Sequence, residues 1–372
     1  MNTLLKCLWH AFVLLVLHLV YYNLNWSFGE EAEVLGLINK TETFLLRRGN
    51  FSDSSFLFVN TAYDHQLADV ETPFGDSGKV GVVDREMLGS FVDGLARRGN
   101  RHGYLLCDIL LDLPTPGDSL LADATQRVRK MLLPKHYSKY DSGFVGAWFG
   151  GKSALSDYIT YEGQVGKMML YSPALKEKTI PLVMYEDLTA SIVTPGRLGL
   201  WEGGHYVPNV VYPRYYFDAY TVPEFEMTLK QANMLLHLSD SLAYDRLFRN
   251  RIIVIGNFVA DRHVTPVGFL PGSVVLLNSY LTLRDGYHRH SAWWFLLMFA
   301  IFGGLSYLEL FYPGTRHAGL SPAGRVWKFL GLTGLWGGLH TTVIPIIVYF
   351  HLIHWFHSIR KHQHHGNRST VH

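Results

Sequence analysis

The chain has 372 residues, of which 48% are hydrophobic, 14% aromatic and only 17% charged. Soluble domains carry about 25% charged residues, so the apolar and aromatic surplus excludes an intrinsically disordered chain. A balance of 33 basic against 31 acidic residues argues against nucleic-acid binding driven by charge, and two cysteines, Cys7 and Cys107, exclude a disulfide scaffold.

Residues 4–24 form the first apolar segment, broken by Lys6, His10, His18 and Asn23. Roughly 20 apolar residues cross a bilayer, and Tyr21, Tyr22 and Trp26 suit the interfacial belt at the exit of a span. No small-x-small cleavage site follows, so the segment reads as an uncleaved anchor rather than a signal peptide.

Residues 25–291 then supply enough chain for a full hydrophobic core. Phe56-Leu57-Phe58-Val59 is a continuous apolar run, the pattern of a strand buried on both faces. Asp84 is placed to cap a helix with the stripe Met87, Leu88, Phe91, Val92 and Leu95, and Gly99 to end it. Tyr104–Leu111 reads as a second buried strand. After the turn at Pro114–Gly117, the stripe Leu120, Leu121, Ala124, Val128, Met131 and Leu132 predicts a helix stopped by Pro134. Strand, helix, strand, helix predicts an α/β fold with a mostly parallel sheet and flanking helices.

Between 135 and 220 the pattern is weaker, with strands predicted at Lys167–Tyr171 and Pro181–Tyr185. Thr221-Val222-Pro223-Glu224 has the form of a capping box, followed by the stripe Phe225, Leu229, Met234 and Leu236. Arg251–Gly256 is the strongest strand pattern in the chain, and a helix is expected between Pro271 and Tyr287. No repeat or low-complexity linker divides 25–291, which is read as one domain.

Two further apolar segments follow, 292–312 and 329–356. The second is 28 residues long, with Pro345 inside it. A tilted or kinked single crossing and a re-entrant hairpin both satisfy that length. The loop between the segments carries Arg316, Arg325 and Lys328, and the positive-inside rule assigns it to the cytoplasm. The expected architecture has one N-terminal and two C-terminal transmembrane segments in the cytoplasmic (inner) membrane, with the α/β domain outside. Arg360, Lys361 and Arg368 of the tail 357–372 also favour the cytoplasm, which three simple crossings do not allow. The side of the tail stays open.

Gly146–Ser153 matches the phosphate-binding loop by letter, but Trp148 and Phe149 are bulky for a backbone wrapped round phosphate. His351, His354 and His357 lie three apart and form a candidate metal cluster; no Cys, Asp or Glu accompanies them, and amphipathic residues at a helix end are the alternative. Asn25, Asn39 and Asn50 begin glycosylation sequons that chance also explains. No cofactor motif is read, and no nucleophile, base and orienter appear at a readable spacing. In an open parallel sheet, ligands bind beyond the carboxyl ends of the strands. Asp64, Asp108, Asp261 and His263 all follow or end predicted strands, so they are candidate ligand-binding residues. Loop caps that pair with one another are the alternative.

The stretch Leu247–Gly256, then Asp261-Arg262-His263-Val264-Thr265-Pro266-Val267-Gly268, then Pro271-Gly272, resembles the signature end of the CHASE domain of type 2, a bacterial extracytoplasmic sensory domain. Asp64, Asp108 and Asp118-Ser119-Leu120-Leu121-Ala122 fit its earlier part, and the likeness covers most of 50–285, weakly from 135 to 220. The resemblance implies a role for Asn278, although Val275-Leu276-Leu277 replaces the family's small polar residues before it. It also implies sensing of an unknown small ligand. The family's following spans lead to a cyclase, kinase or similar output domain that is expected to be missing here. Signalling is then expected to pass through a separate partner, such as a kinase or cyclase. The alternative is a structural or assembly subunit of an envelope complex, which binds protein through the same fold. Besides the lipid bilayer, an envelope protein would then be the partner.

Overall fold

Apolar runs without polar alternation need cover on both faces, and the main sheet is built around three of them. The structure, a computed structural model, describes residues 3–24, 33, 35–39, 55–71, 77–138, 142–161, 163–219, 221–222, 226–238 and 240–311. The apolar block 329–356, the histidines His351, His354 and His357, and the sequon residues Asn25 and Asn50 lie outside these residues. The helices are α1 (Thr3–Tyr21), α2 (Arg85–Arg97), α3 (Asp118–Arg127), α4 (Ile180–Thr189), α5 (Leu229–Leu238), α6 (Ser241–Leu247), α7 (Gly272–Arg284) and α8 (Ala292–Phe311). The strands of the main sheet are β1 (Phe56–Asn60), β2 (Tyr104–Asp108), β3 (Met131–Ser138), β4 (Gly143–Gly146), β5 (Ser153–Leu155), β6 (Glu226–Thr228) and β7 (Ile252–Gly256). With parallel and antiparallel sheets beside these helices, the class is mixed α/β.

The chain divides into two units. The larger spans Asn39–Val193 and Val211–Gly286; the smaller spans Met1–Ile38, Thr194–Val210 and Tyr287–His372. The stretch 25–291, read from sequence as one domain, thus contributes to both.

In the larger unit the strand order is β6-β1-β7-β2-β3-β4, with β5 also pairing β3. All of these pairs are parallel except β3 with β4. β7 sits between β1 and β2 in a register that aligns Asn60, Gly256 and Asp108, so three strands end together. Alternate side chains face opposite layers. Leu57, Val59, Leu105, Cys107, Ile253 and Ile255 share one buried cluster with Leu88, Phe91 and Leu95 of α2, Leu121 of α3, Leu229 and Leu236 of α5, and Tyr244 of α6. Phe56, Phe58, Tyr104, Leu106 and Val254 are buried on the other face, where α7 packs on β2 and β7 and α4 packs on α7. Each such apolar side chain contributes about 1.5–3 kcal/mol on burial.

Several predicted elements change here. Met131 and Leu132 do not extend α3; Val128 takes an extended backbone after it, and Met131–Ser138 is a strand. Pro134 is tolerated inside β3 because pairing with β2 covers only Met131 and Leu132. Leu133 donates to Lys152 and Lys135 accepts from Ser156, so the missing N–H of Pro134 is not required by β5. Pro181–Tyr185, predicted as a strand, lies in α4: Thr179 is its extended N-cap and Pro181 occupies the first turn, where no donor is needed. The helix expected from Thr221 starts later, because Glu226–Thr228 adds to β1 as a strand. The capping box that operates is Thr228–Gln231. Thr228 N donates to Gln231 Oε1 at 2.9 Å, and Gln231 N donates to Thr228 Oγ1 at 3.1 Å. Sequence patterning also missed the hairpin His65–Glu71 with Ser77–Val83, which separates β1 from α2.

In the smaller unit α1 packs antiparallel on α8, with His10 Nδ1 2.9 Å from Ser306 Oγ and His18 stacked on Trp294. Leu4–Tyr21 is long and apolar enough to cross a membrane; the apolar part of α8, Ala292–Tyr307, is shorter. One helix among the described residues therefore meets that criterion where two spans, 4–24 and 292–312, were expected. Before α8, buried Glu202 accepts from Arg289 at 2.8 and 2.6 Å and from His288 Nε2 at 2.9 Å.

Candidate functional site

Parallel strands place their carboxyl ends on one rim, and in the larger unit that rim gathers groups from four chain segments. Asp108 ends β2. Asp261 and His263 follow β7, with His263 in the short strand Arg262–Thr265. His136 lies on β3. Ser156, Asp157 and Tyr158 follow β5, brought alongside by the parallel pairing of Lys135 with Leu155. Gly272, the first residue of α7, closes the group: its N–H donates to the Asp261 carbonyl at 3.0 Å.

Within the group, His263 Nε2 donates to Asp261 Oδ1 at 3.0 Å and His136 Nδ1 donates to Asp157 Oδ1 at 3.0 Å. The Tyr158 ring lies 4.6 Å from the His263 ring. Side chains of Asp157, Asp261 and His136 are 45%, 43% and 42% exposed, so solutes reach the cluster. Asp108 is deeper. Its Oδ2 is buried without a hydrogen-bond partner among the described residues. Burial, reinforced by the Asp261 carboxylate, pushes the Asp108 carboxyl up to about 7. The hydrogen bond to Asp157 raises His136, and the hydrogen bond to Asp261 raises His263. Burial raises the Tyr158 phenol, helped by Asp108 and Asp261. The rim thus combines carboxylates, imidazoles and a phenol, several of them holding protons near neutrality. Such a set can accept and donate hydrogen bonds and respond to charge.

Ser156, His136 and Asp157 invite comparison with a nucleophile relay. Ser156 Oγ lies 3.0 Å from His136 Nε2 and 3.3 Å from Nδ1. A serine on the lone-pair axis of one nitrogen stands well beyond hydrogen-bonding reach of the other. The hydroxyl instead sits nearly equidistant from both, and Ser156 is 2% exposed. The arrangement is not that of an activated, accessible nucleophile. Among the described residues no three His, Cys, Asp or Glu side chains converge to hold a metal ion.

Of the residues singled out from sequence, the structure brings together Asp108, Asp261 and His263. Asp64 and Asn278 serve backbone groups instead. Asp64 Oδ2 accepts from Lys230 N at 3.2 Å in the first turn of α5. Asn278, fully buried in α7, accepts from Tyr216 N (2.9 Å) and Phe217 N (3.0 Å) and donates to the Phe217 carbonyl (2.9 Å). His136, Asp157 and Tyr158 were missed, since the first lies on a misread strand and the others follow a three-residue one, and the pairing of these strands alone brings them here. The Gly146–Ser153 segment joins β4 to β5, with no helix after it, so the strand-to-helix context of a phosphate-binding loop is absent. Asn39 is buried and accepts from Tyr215 N at 3.2 Å, a poor acceptor for a glycan.

Gly272 has a direct bearing on the rim. A Cβ there would lie 2.5 Å from Asp261 Oδ2 and 2.7 Å from the Tyr158 hydroxyl. The Asp261 carboxylate is the end of a short side chain that can turn away; the Tyr158 hydroxyl ends a rigid ring packed against His263. Gly272→Ala is therefore expected to cost about 1–3 kcal/mol of stability while drawing Asp261 off His263. An NMR titration of the histidine ring signals should show the His263 pKa falling towards that of free imidazole; an unchanged value would contradict the coupling.

Comparison with protein-family models, with curated protein sequences and with solved structures finds no match.

Proposed function

We propose that the protein is a membrane-anchored, extracytoplasmic sensory protein whose larger unit binds a small ligand at the rim formed by Asp108, His136, Asp157, Tyr158, Asp261 and His263. One observation carries this reading: protonatable groups from four chain segments converge at the carboxyl ends of the strands, against the first residue of α7. A ligand that prefers one position of Asp261 shifts α7 through the Gly272–Asp261 hydrogen bond, and only to the extent of that preference. Residues 285–291 then lead to α8.

The membrane part of the reading is supported by the apolar length of α1 and by its antiparallel packing on α8. Antiparallel helices bring Tyr21 and Ala292 to the same end, as two spans bordering one extramembrane domain require. Leu4, Leu5, Leu8, Trp9 and Phe12 of α1 and Trp293 of α8 are exposed, as lipid-facing side chains are. The likeness to the CHASE domain of type 2 rests on the residues quoted above. The alternative, an assembly subunit of an envelope complex, is favoured by the hairpin at 65–83, where Leu67 is 67% and nearby Tyr63 70% exposed.

Two experiments test the proposal. Protease added to intact spheroplasts is expected to cleave within 39–286; protection there, with cleavage in inverted vesicles, would reverse the topology. Thermal-shift screening of the full chain in detergent is expected to find a small molecule that raises the melting temperature, with the rise lost in Asp108→Asn and Asp261→Asn. A stabiliser indifferent to both substitutions would remove the rim as the binding site.

A further inference from the structure

The opposite edge of the main sheet carries a cavity that the rim does not use. Its volume is about 320 Å³, and Thr125, Val128, Lys130, Met131, Leu133, Lys152 and Asp187 line it. Met131 begins β3 and Lys152 precedes β5, so the cavity lies at the amino ends of these strands, whereas Asp108 ends β2. Ligand sites run from about 300 to 1,000 Å³, and this one is at the small end.

Its chemistry is specific. Val128, Met131 and Leu133 form apolar walls. Asp187, on α4, accepts from the Tyr104 hydroxyl at 2.7 Å and forms an ion pair with the Lys152 ammonium. That pair cancels one charge and fixes the Lys152 head, which keeps N–H donors in reserve because an ammonium has three. Lys130 makes no ion pair among the described residues. The lining thus sets two lysines, Lys130 and Lys152, against one carboxylate, in a hollow whose walls are part polar and part apolar. Gly151 borders the same walls: its φ is +114°, and a Cβ there would lie 3.1 Å from both Leu133 and Thr125. The glycine-rich segment that resembles a phosphate loop by letter therefore supplies a close-packed edge and a lysine to this cavity.

We propose that this cavity binds a small organic monocarboxylate, its apolar body against Val128, Met131 and Leu133 and its carboxylate between Lys130 and Lys152. Two lysines against one carboxylate, with walls that are part apolar, match a monoanion with a hydrocarbon body better than a doubly charged phosphate. The site is separate from the rim, so it stands or falls independently of the sensory reading.

Isothermal titration of the full chain in detergent with sodium benzoate, and with benzamide as the uncharged analogue, tests this. Benzoate is expected to bind at least tenfold more tightly than benzamide. Lys130→Met and Lys152→Met are each expected to weaken benzoate at least tenfold, and Asp108→Asn to leave it unchanged. Lys130 is exposed, so its variant keeps the fold even where loss of the Lys152–Asp187 pair disturbs it; the melting temperature of each variant separates the two effects. Equal binding of benzoate and benzamide, no benzoate binding by the unmodified chain, or benzoate binding unaltered by Lys130→Met would overturn the proposal.

Discussion

Asn278→Leu is expected to lower the unfolding free energy of the larger unit by about 4 kcal/mol, as one buried and one part-buried N–H and a buried carbonyl each lose a partner worth about 1–3 kcal/mol. The amide lies at 0% exposure in α7 and holds the chain at Tyr216 and Phe217 through three hydrogen bonds of 2.9–3.0 Å. Leucine has the same number of side-chain heavy atoms, so no cavity forms, but it is bulkier, and overpacking at this fully buried site adds to the loss of the hydrogen bonds. Asn278→Asp retains the acceptor and is expected to lose less, provided the carboxyl takes up a proton. Urea denaturation followed by tryptophan fluorescence measures both. A loss below about 1 kcal/mol for the leucine variant would mean that the segment at 216–217 finds other partners. A ligand-contacting asparagine behaves differently: its removal weakens binding and leaves stability nearly intact.

The second large effect concerns pH. Asp108 titrates at about 7 in the folded chain against an ordinary 3.8, through burial first and the Asp261 carboxylate second. Between these values the folded state keeps a proton that the unfolded state has released, so stability falls as pH rises. The contribution is fully present below about pH 4 and is lost as pH passes through about 7. His136 and His263 act in the same direction, because their carboxylate partners raise them above the ordinary 6.5. Their share is present below pH 6.5 and disappears as pH rises through the raised values. Three pH units on one group correspond to about 4 kcal/mol at most. Thermal melts at pH 4.5, 6 and 8 are expected to show declining stability across the window. Asp108→Asn, which has no charge to bury, is expected to flatten the profile and to be more stable than the unmodified chain at pH 8 by about 2 kcal/mol. A flat profile in the unmodified chain would show that Asp108 is hydrated and titrates as an ordinary carboxyl.

The rim was legible in part, and the reason is strand length. β1, β2 and β7 announce themselves as uninterrupted apolar runs because both faces of each are covered. Residues that end or follow such strands, Asp108, Asp261 and His263, can be placed on one rim from the rule that parallel strands share a carboxyl edge. His136 and Tyr158 offered no such handle. β5 is three residues long, and β3 begins inside what the helical spacing of Val128, Met131 and Leu132 continues. The helix ends because Val128 takes an extended backbone; Lys130 then turns the chain with a left-handed φ of 56°, and the following residues gain a parallel partner in β2. Local periodicity contains neither fact.

Composition and apolar spacing alone determined the mixed α/β class, α2 with its Asp84 cap, the central strands and an N-terminal helix apolar enough for a membrane. Each depends on near neighbours in the chain: a side chain three or four residues away, a cap bonding to the next turn, an unbroken run of apolar residues. Tertiary structure decided the insertion of β7 between β1 and β2, the helical state of Pro181–Tyr185, the pairing of His136 with Asp157, and the employment of Asn278 by the backbone at 216–217. These rest on partners tens to hundreds of residues apart, whose free energy of contact overrides a local preference of a few tenths of a kcal/mol per residue.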